Sequence, residues 1–163
     1  MKRLPGMTVL TLILCAFFLL SLSGCGEEKS GNTLEEPEIT SEYLENDYAQ
    51  QLLTDGAETI LGYVSIAKEG DAYKVHITEQ EVVPSADYEE GYYIADTNLS
   101  KDAVCDSDAR IVCMQDGEQT VTTTDDFIEE HADDSDQLYT VYLMGDSAEL
   151  ILATDPKSVE VEE

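Results

Sequence analysis

The sequence TTDDFIEEH (residues 123–131) predicts a helix set among strands in the second half of the chain, and this helix limits the folds that the chain can adopt. Thr123 followed by Asp126 resembles a capping box, in which a threonine oxygen receives the first backbone N–H groups of a helix. The acidic residues also suit the positive N-terminal end of the helix dipole. Phe127 and Ile128 follow, with His131 one turn on. We therefore expect a short helix whose apolar residues plug one end of a sheet.

Strand patterns precede this helix. Apolar residues recur at every second position before and after a Gly-containing turn, which is typical of half-buried strands. Tyr73, Val75 and Ile77 share one side of the second of these strands. The predicted elements are a hairpin of residues 60–68 and 73–83 around Glu69-Gly70-Asp71, a loop over 84–91 and a short third strand over 91–95.

Further hairpins and an N-terminal helix complete the pattern. Asp116-Gly117 between two apolar strands signals a two-residue hairpin turn, because both positions accept positive φ. Leu44, Tyr48 and Leu52 recur at helical spacing, and Asp55-Gly56 provides a stop. These patterns predict a helix over 41–54, strands over 109–115 and 118–122, and a closing hairpin of 138–144 and 148–154 around Gly145-Asp146-Ser147.

The order of these elements predicts a mainly β fold with one or two short helices, in the α+β class. It resembles the OB-fold, a small barrel in which a helix between the third and fourth strands caps one mouth. The resemblance lies in the order of elements and not in a sequence motif. The hairpin around Asp116-Gly117 adds strands beyond the five of an OB-fold barrel. An open β roll with a capping helix is therefore the alternative.

The first residues of the chain predict export. Lys2 and Arg3 precede an uncharged run, MTVLTLILCAFFLLSL (residues 7–22), which is the arrangement of a secretory signal. The run is shorter than the about 20 apolar residues that a transmembrane helix needs. The processing of this segment is indicated by residues 22–25. The alternatives are cleavage at an ordinary signal site and retention as an uncleaved membrane anchor.

Leu22-Ser23-Gly24-Cys25 ends this run and resembles the lipobox of bacterial lipoproteins, [LVI]-[ASTVI]-[GAS]-C, at every position. The resemblance implies cleavage between Gly24 and Cys25, diacylglycerol on the Cys25 sulfur and often a further acyl chain, such as palmitate, on the new N-terminus. Two chains give a stable anchor where one gives only reversible attachment. We therefore expect a protein anchored by lipid on the extracytoplasmic face of the cell membrane, with no other cofactor.

The charge of the chain excludes one class of partner. Loss of residues 1–24 leaves six basic and 36 acidic side chains, a formal charge of −30, where the full chain has eight basic side chains and a charge of −28. Nucleic-acid binding depends on Lys and Arg neutralising phosphates, so this class is excluded. Such a charge favours a soluble monomer, with adaptation to high salt as an alternative. The predicted divisions are a signal peptide (1–24), a lipidated cysteine and acidic flexible tether (25–40), one β-rich domain (41–157) and an acidic tail (158–163).

Cys105 and Cys113 are the cysteines that follow Cys25. An oxidising compartment permits a disulfide between them, and their spacing is not that of a redox motif. If residues 106–109 form a tight turn, the sulfurs lie about three residues apart along a strand, or ~10 Å, whereas a disulfide needs Cα atoms within about 7 Å. Two small buried hydrophobic residues are therefore favoured over a bridge.

No residue pattern indicates a catalytic or a metal site. His76 is expected to face solvent and His131 to end a helix, and neither belongs to a zinc motif. Neither a nucleophile elbow nor a Gly-rich phosphate loop is present. The acidic run from Asp125 to Asp136 offers oxygen ligands for calcium, but the EF-hand pattern is absent and a solvated surface is favoured.

Tyrosines offer the candidate ligand surface. Tyr88, Tyr92 and Tyr93 cluster around the loop predicted over residues 84–91. Exposed aromatic rings stack on sugars or anchor peptides, which is the chemistry expected of a binding module. Half-buried positions in a sheet are the alternative interpretation.

The elements GYV, GYYI, DG and DDFI, with a closing hairpin, also resemble those of small uncharacterised lipoproteins of Gram-positive bacteria. That likeness implies no activity. We expect a non-enzymatic, lipid-anchored binding or accessory domain of the bacterial cell envelope, with an envelope protein, peptide or glycan as its ligand. The alternatives are an enzyme or inhibitor acting on cell-wall or secreted polymers, and a weak calcium-binding structural surface protein.

Overall fold

The structure, a computed structural model, describes residues 38–131 and 136–159. The predicted signal peptide, Cys25, most of the tether and residues 160–163 of the tail lie outside these residues. Within them the fold is mainly β, as the strand patterns predict. The strands are β1 (Glu58–Glu69), β2 (Ala72–Pro84), β3 (Tyr92–Cys105), β4 (Arg110–Gln115), β5 (Glu118–Thr122), β6 (Tyr139–Met144) and β7 (Ser147–Ala153). The helices are α1, which joins α-helical Ser41–Tyr43 and Ala49–Thr54 through a π-helical segment Leu44–Tyr48, α2 (Thr124–Glu130) and a 3-10 turn Pro156–Ser158.

Five strands close into a barrel in the order β1-β2-β3-β7-β6, with β6 returning to β1. Neighbouring strands are antiparallel except β3 and β7, which run parallel. Three strands in a meander, then a helix and a closing hairpin, form the OB-like arrangement that the order of elements predicts. The open β roll is wrong, because β3 reaches β7 and closes the sheet on itself.

Alternation along β2 sets which side chains fill the barrel. Tyr73, Val75 and Ile77 are buried, whereas Lys74 and His76 between them are exposed. Because side chains alternate between the two faces of a strand, a period of two in the sequence fixes which face turns inward. The barrel core adds buried residues from the other strands and from α2: Ile60, Ala103, Cys105, Ile111, Phe127, Tyr139, Val141, Leu143, Ala148, Ile151 and Ala153.

The third strand is longer than the predicted residues 91–95, since β3 continues to Cys105. Its middle, ADTNLSKD (residues 95–102), is polar and resembles a loop. Asn98 has a φ of +59°, and the pairing of β2 with β3 shifts between Thr78 and Gln80. A β-bulge therefore interrupts the alternation that identifies a strand in the sequence.

The hairpin β4–β5 extends the sheet outside the barrel. Asp116 and Gly117 both have positive φ, as the predicted two-residue turn requires. β4 runs parallel to β7, and α1 covers the outer side of both strands. β7 is consequently buried on both faces. The residues in contact there are Leu44, Ala49 and Leu52 of α1, Val112 of β4, and Leu150 and Leu152 of β7.

Helix α2 packs against the barrel core, as its apolar residues predict. The Thr123 hydroxyl accepts a hydrogen bond from the Asp126 N–H at 3.2 Å, which confirms the predicted cap. Phe127 is buried, and its ring meets that of Tyr139 edge-on with the centroids 5.7 Å apart. The His131 ring lies 5.5 Å from that of Phe127 at the other end of the helix. The cap fixes where the helix starts, and Phe127 fixes which side faces the core.

Candidate ligand-binding site

A cleft opens on β2 and β3, between the β1–β2 turn and the β6–β7 turn. We call it the β2–β3 cleft. OB-folds bind oligonucleotides and oligosaccharides on the face of their second and third strands, between the first loop and the loop joining the last two strands. The cleft lies at the corresponding position of this OB-like barrel. It has a volume of about 430 Å³ and is lined by Glu69, Ala72, Tyr73, Lys74, Asp102, Ala103, Val104 and Asp146.

The cleft lies beside the short contact between β3 and β7 that closes the barrel. β3 meets β7 at a single residue pair, Val104 with Ser147. The Val104 N–H donates to the Asp146 carbonyl oxygen at 2.9 Å, so the closure also fixes the β6–β7 turn. The Val104 side chain is nonetheless 51% exposed. An apolar side chain is thus presented to solvent at the point where the cleft meets the barrel wall.

Asp102 is the charged centre of the cleft wall. Its Oδ1 lies 2.7 Å from His76 Nδ1, and its Oδ2 lies 3.8 Å from Lys74 Nζ. The hydrogen bond from His76 is the main cause that lowers the pKa of Asp102, and the charge of Lys74 adds to it. Because an ionised carboxylate only accepts hydrogen bonds, His76 Nδ1 carries the proton in this pair.

A second polar network holds the β1–β2 hairpin to α2. Lys68 Nζ donates to the Tyr73 hydroxyl at 2.9 Å and to Asp125 Oδ1 at 3.0 Å, and the Tyr73 hydroxyl donates to the same Asp125 oxygen at 2.9 Å. These hydrogen bonds raise the pKa of Lys68 and lower the pKa of Asp125. Since Tyr73 also lines the cleft, the network positions one of its walls.

The three tyrosines of the candidate ligand surface lie elsewhere. Tyr88 and Tyr93 stack with ring centroids 5.3 Å apart and are 53% and 38% exposed, whereas Tyr92 is half-buried and pairs with Pro84. They stand at the far end of the β2–β3 hairpin, and none of them lines the β2–β3 cleft. The structure brings two of the three rings together but sets them apart from the cleft.

The candidate disulfide between Cys105 and Cys113 is not formed. The tight hairpin assumed between them is absent, because β4 pairs with β7 and β5 rather than with β3. Cys105 ends β3 opposite Tyr73, whereas the Cys113 thiol donates to the Thr120 carbonyl oxygen at 3.5 Å. Both side chains are buried. Burial raises the pKa of the Cys105 thiol to about 11, with the charge of Asp106 as the next cause.

One row of side chains crosses three strands in the order of a hydrolytic triad. Ser65 of β1 pairs with His76 of β2, and His76 pairs with Asp102 of β3. His76 is hydrogen-bonded to Asp102, but no hydrogen bond joins it to Ser65 in the described residues. Ser65 and His76 are exposed. The row supplies a base and its orienting carboxylate, without the base-to-nucleophile contact that activates a serine.

The acidic run is partly engaged in local contacts. Asp125 pairs with Lys68, and Asp126 Oδ2 accepts from the Thr123 hydroxyl at 2.7 Å. Among residues 38–131 and 136–159, no group of three or more His, Cys, Asp or Glu side chains is placed to hold a metal ion. Asp133 and Asp134 lie outside the described residues.

A second cavity of about 400 Å³ lies on the outer face of β1, β6 and β7, beside α1. Its wall is rich in threonine, and the Thr140 and Thr154 hydroxyls are hydrogen-bonded to each other at 2.7 Å. It lies away from both turns that flank the β2–β3 cleft. Its lining includes Glu45, Thr59, Leu61, Tyr142, Leu152 and Ser158.

The residues that line the cleft cannot be predicted as a site from the sequence alone. Asp102 and Val104 belong to the part of β3 that follows the bulge, where no strand is predicted. Had the strand been extended to Cys105, the alternation of Lys74 and His76 on β2 would have indicated charged neighbours across the sheet. Asp146 resembles an ordinary turn residue, and only the barrel closure brings it to the cleft.

Comparisons with known proteins found no matching family model, no matching curated protein and no matching solved structure. No helix among the described residues is long and apolar enough to cross a membrane.

Proposed function

We propose that this chain is a non-enzymatic binding module of the bacterial cell envelope, anchored to the extracytoplasmic face of the membrane by lipid on Cys25. The lipobox residues Leu22-Ser23-Gly24-Cys25 support the anchor. Because anionic lipid headgroups repel a body with a charge of −30 after loss of residues 1–24, attachment to the membrane would depend on the lipid.

The position of the β2–β3 cleft carries the binding proposal. A concave surface with a few converging polar groups is the usual form of a ligand site. Here the cleft combines exposed Val104 with the carboxylates of Glu69, Asp102 and Asp146. It lies on the strand 2–3 face where OB-folds hold their ligands. We therefore place ligand binding at the cleft, with the stacked pair Tyr88 and Tyr93 as a separate exposed surface.

The anchor is tested by Cys25→Ser. In a bacterial host that lipidates proteins, we expect the parent chain in the membrane fraction and the variant in the soluble extracytoplasmic fraction or the medium. Mass spectrometry of the parent should show cleavage before Cys25 and added diacylglycerol. An unmodified parent chain found free in the medium contradicts the anchor.

The cleft is tested by recording amide NMR spectra of the full chain in an uncharged detergent while soluble envelope glycans and peptides are added. We expect shifts at Asp102–Val104 and Asp146. Val104→Glu should abolish the response, and Val121→Glu, which alters an exposed valine of β5, should preserve it. Shifts confined to Tyr88 and Tyr93, or an equal response in both variants, would place binding outside the cleft.

A second candidate function is hydrolysis of cell-wall or secreted polymers, favoured by the row of Ser65, His76 and Asp102. The exposed position of Ser65 and its missing hydrogen bond to His76 weigh against it. The test is hydrolysis of activated esters and envelope polymers by the parent, Ser65→Ala and His76→Gln. Turnover that both substitutions abolish would establish an enzyme, and turnover unchanged by either would dismiss this row.

A further inference from the structure

β3 leaves part of its backbone open beside the cleft. It pairs with β2 along its length but with β7 only at Val104. The Val104 N–H points away from β2, toward Asp146. In an antiparallel ladder the N–H and C=O of one residue point to the same side, and alternate residues point the same way. The backbone groups of Ser100 and Asp102 therefore also point away from β2, and no strand of the described residues pairs with them.

The part of the open edge that lies beside the cleft is short and reaches the bulge, and beyond it residues 92–96 of β3 again pair with β2 alone. Toward the N-terminus of β3, side chains satisfy the backbone: Asp96 Oδ1 accepts from the Asn98 N–H at 2.7 Å and the Thr97 hydroxyl from the Leu99 N–H at 3.3 Å. Bulges and local side-chain bonds are ways in which proteins close an exposed strand edge. Beside the β2–β3 cleft, the open groups are therefore those of Ser100 and Asp102.

The lining of the cleft beside this edge combines apolar and acidic residues. Ala72, Ala103 and Val104 supply the apolar surface, and Glu69, Asp102 and Asp146 supply carboxylates. Lysine and arginine side chains bury an aliphatic stem while the cationic head reaches a polar rim, so they match both parts. Lys74 is the cation in the lining and lies 3.8 Å from Asp102. The three carboxylates outnumber it, so the lining carries a net negative charge.

The charge of the chain narrows the identity of the partner. At −28, a second copy of this chain and an anionic membrane surface are both repelled, whereas a basic partner is attracted and steered toward the site. Addition of a strand to an open sheet edge binds an extended peptide through main-chain hydrogen bonds, with side-chain pockets giving specificity. The β3 edge offers the main-chain groups for such hydrogen bonds, and the adjacent β2–β3 cleft offers a side-chain pocket.

We propose that the β3 edge at Ser100 and Asp102, together with the β2–β3 cleft, binds an extended basic segment of a partner protein by strand addition. A lysine or arginine of the segment lies in the cleft, and its neighbours pair with β3. This deepens the proposed function and rests on the cleft being a ligand site. β5 does not line the β2–β3 cleft and contacts Ser41–Tyr43 of α1, so its outer edge serves as the comparison edge.

The test uses short fluorescent peptides of alternating Lys and Val, added to the full chain in an uncharged detergent. Saturable binding is expected for this peptide and not for the Glu–Val version. Two further peptides carry N-methyl groups on the Lys amides or on the Val amides. Because an added strand turns only alternate N–H groups toward its neighbour, one methylated frame should lose about tenfold or more in affinity and the other should not. Equal binding of both frames would contradict strand addition.

Protein variants provide the second arm. Ser100→Pro removes an N–H from the open edge and should weaken binding about tenfold, whereas Val121→Pro on β5 should not. Asp146→Asn with Glu69→Gln should weaken binding of the Lys peptide while leaving thermal unfolding unchanged. The methylated peptides leave the protein unaltered and keep the test valid if a proline variant unfolds.

The outcomes separate this inference from the proposed function. If envelope ligands shift Asp102–Val104 but the Lys–Val peptide does not bind, strand addition of a basic segment is wrong and the cleft remains a ligand site. If neither class of ligand perturbs the cleft, both proposals fail. Peptide binding that Ser100→Pro and Val121→Pro weaken equally would also overturn the assignment to β3.

Discussion

The carboxylate of Asp102 on β3 accepts a hydrogen bond from His76 on β2 across 2.7 Å, at the rim of the β2–β3 cleft. The two residues are direct neighbours in the register of the strands. The bond lowers the pKa of Asp102, so the ionised carboxylate is the form that the native state favours. This relationship makes the charge of the cleft sensitive to a residue that does not line it.

Removal of His76 should raise the pKa of Asp102. In His76→Ala we expect it to return toward the ordinary value of 3.8, and in Lys74→Met to rise less, because the hydrogen bond is the larger cause. A native pKa below the unfolded one stabilises the fold above the unfolded pKa, and this contribution is lost as pH falls through the native pKa. NMR titration of the Asp102 side-chain carboxyl carbon measures the shift. An Asp102 that titrates identically in the parent and in His76→Ala would contradict the assigned cause.

Tyr73 should stabilise the fold through its hydroxyl as well as its ring. Tyr73→Phe keeps the buried ring but removes the donor to Asp125 and the acceptor for Lys68. Loss of a protein hydrogen bond lowers the free energy of unfolding by about 0.5–1.5 kcal/mol. The pKa of Lys68 should fall toward its ordinary value at the same time, because the Tyr73 hydroxyl is the first cause of its rise.

Urea unfolding measures the first effect and NMR titration of the Lys68 side chain the second. Tyr92→Phe is the matched control, because the Tyr92 hydroxyl makes no hydrogen bond within the described residues. If Tyr73→Phe unfolds at the same urea concentration as Tyr92→Phe and the parent, the network does not stabilise the hairpin.

Cys105 should resist alkylation in the native state. Burial raises the pKa of its thiol to about 11, so at pH 8 little of it is the reactive thiolate. We expect iodoacetamide to modify Cys105 only after unfolding, as peptide mass spectrometry would show. A reductant should leave the melting temperature unchanged, because no disulfide joins Cys105 to Cys113. Rapid native labelling of Cys105, or a melting temperature lowered by reductant, would contradict this prediction.

Local patterns predict most of the elements of the barrel, with an open β roll as the alternative arrangement. Alternation placed Tyr73, Val75 and Ile77 in the core, Asp116-Gly117 marked a hairpin, and Thr123 marked the start of α2. Each depends on a backbone preference or a period that neighbouring residues express by themselves. The order of the elements then restricted the topology, because a meander followed by a helix and a hairpin has few ways to close.

The cleft could not be predicted in the same way. Its residues meet through the closure of β3 on β7, and Val104 and Ser147 are far apart in the sequence. The bulge near Asn98 also hides the strand that carries Asp102. Residue type alone predicts the tyrosine surface, and residue type does not indicate whether Tyr88 and Tyr93 stand in a groove or at the end of a hairpin. A site whose residues meet only when distant strands pair can be predicted only after the fold is known.

Gly62 should be intolerant of even one added carbon atom. It pairs with Glu79 of β2 and with Tyr139 of β6, at the point where β1 passes from one neighbour to the other. A Cβ at this position would clash with the Thr78 carbonyl oxygen, which belongs to backbone beside the bulge and cannot rotate away. Overpacking of this kind lowers the free energy of unfolding by about 1–3 kcal/mol.

The measurement is urea unfolding of Gly62→Ala, with Ser65→Ala on the exposed face of the same strand as control, which should stay within about ±0.5 kcal/mol of the parent. Weaker pairing of β1 with β2 would also appear as faster amide exchange at Thr78 and Glu79. Equal stability of the two alanine variants would mean that β1 and β2 accommodate the added Cβ without a loss in the free energy of unfolding. The close approach at Gly62 would then not constrain the barrel.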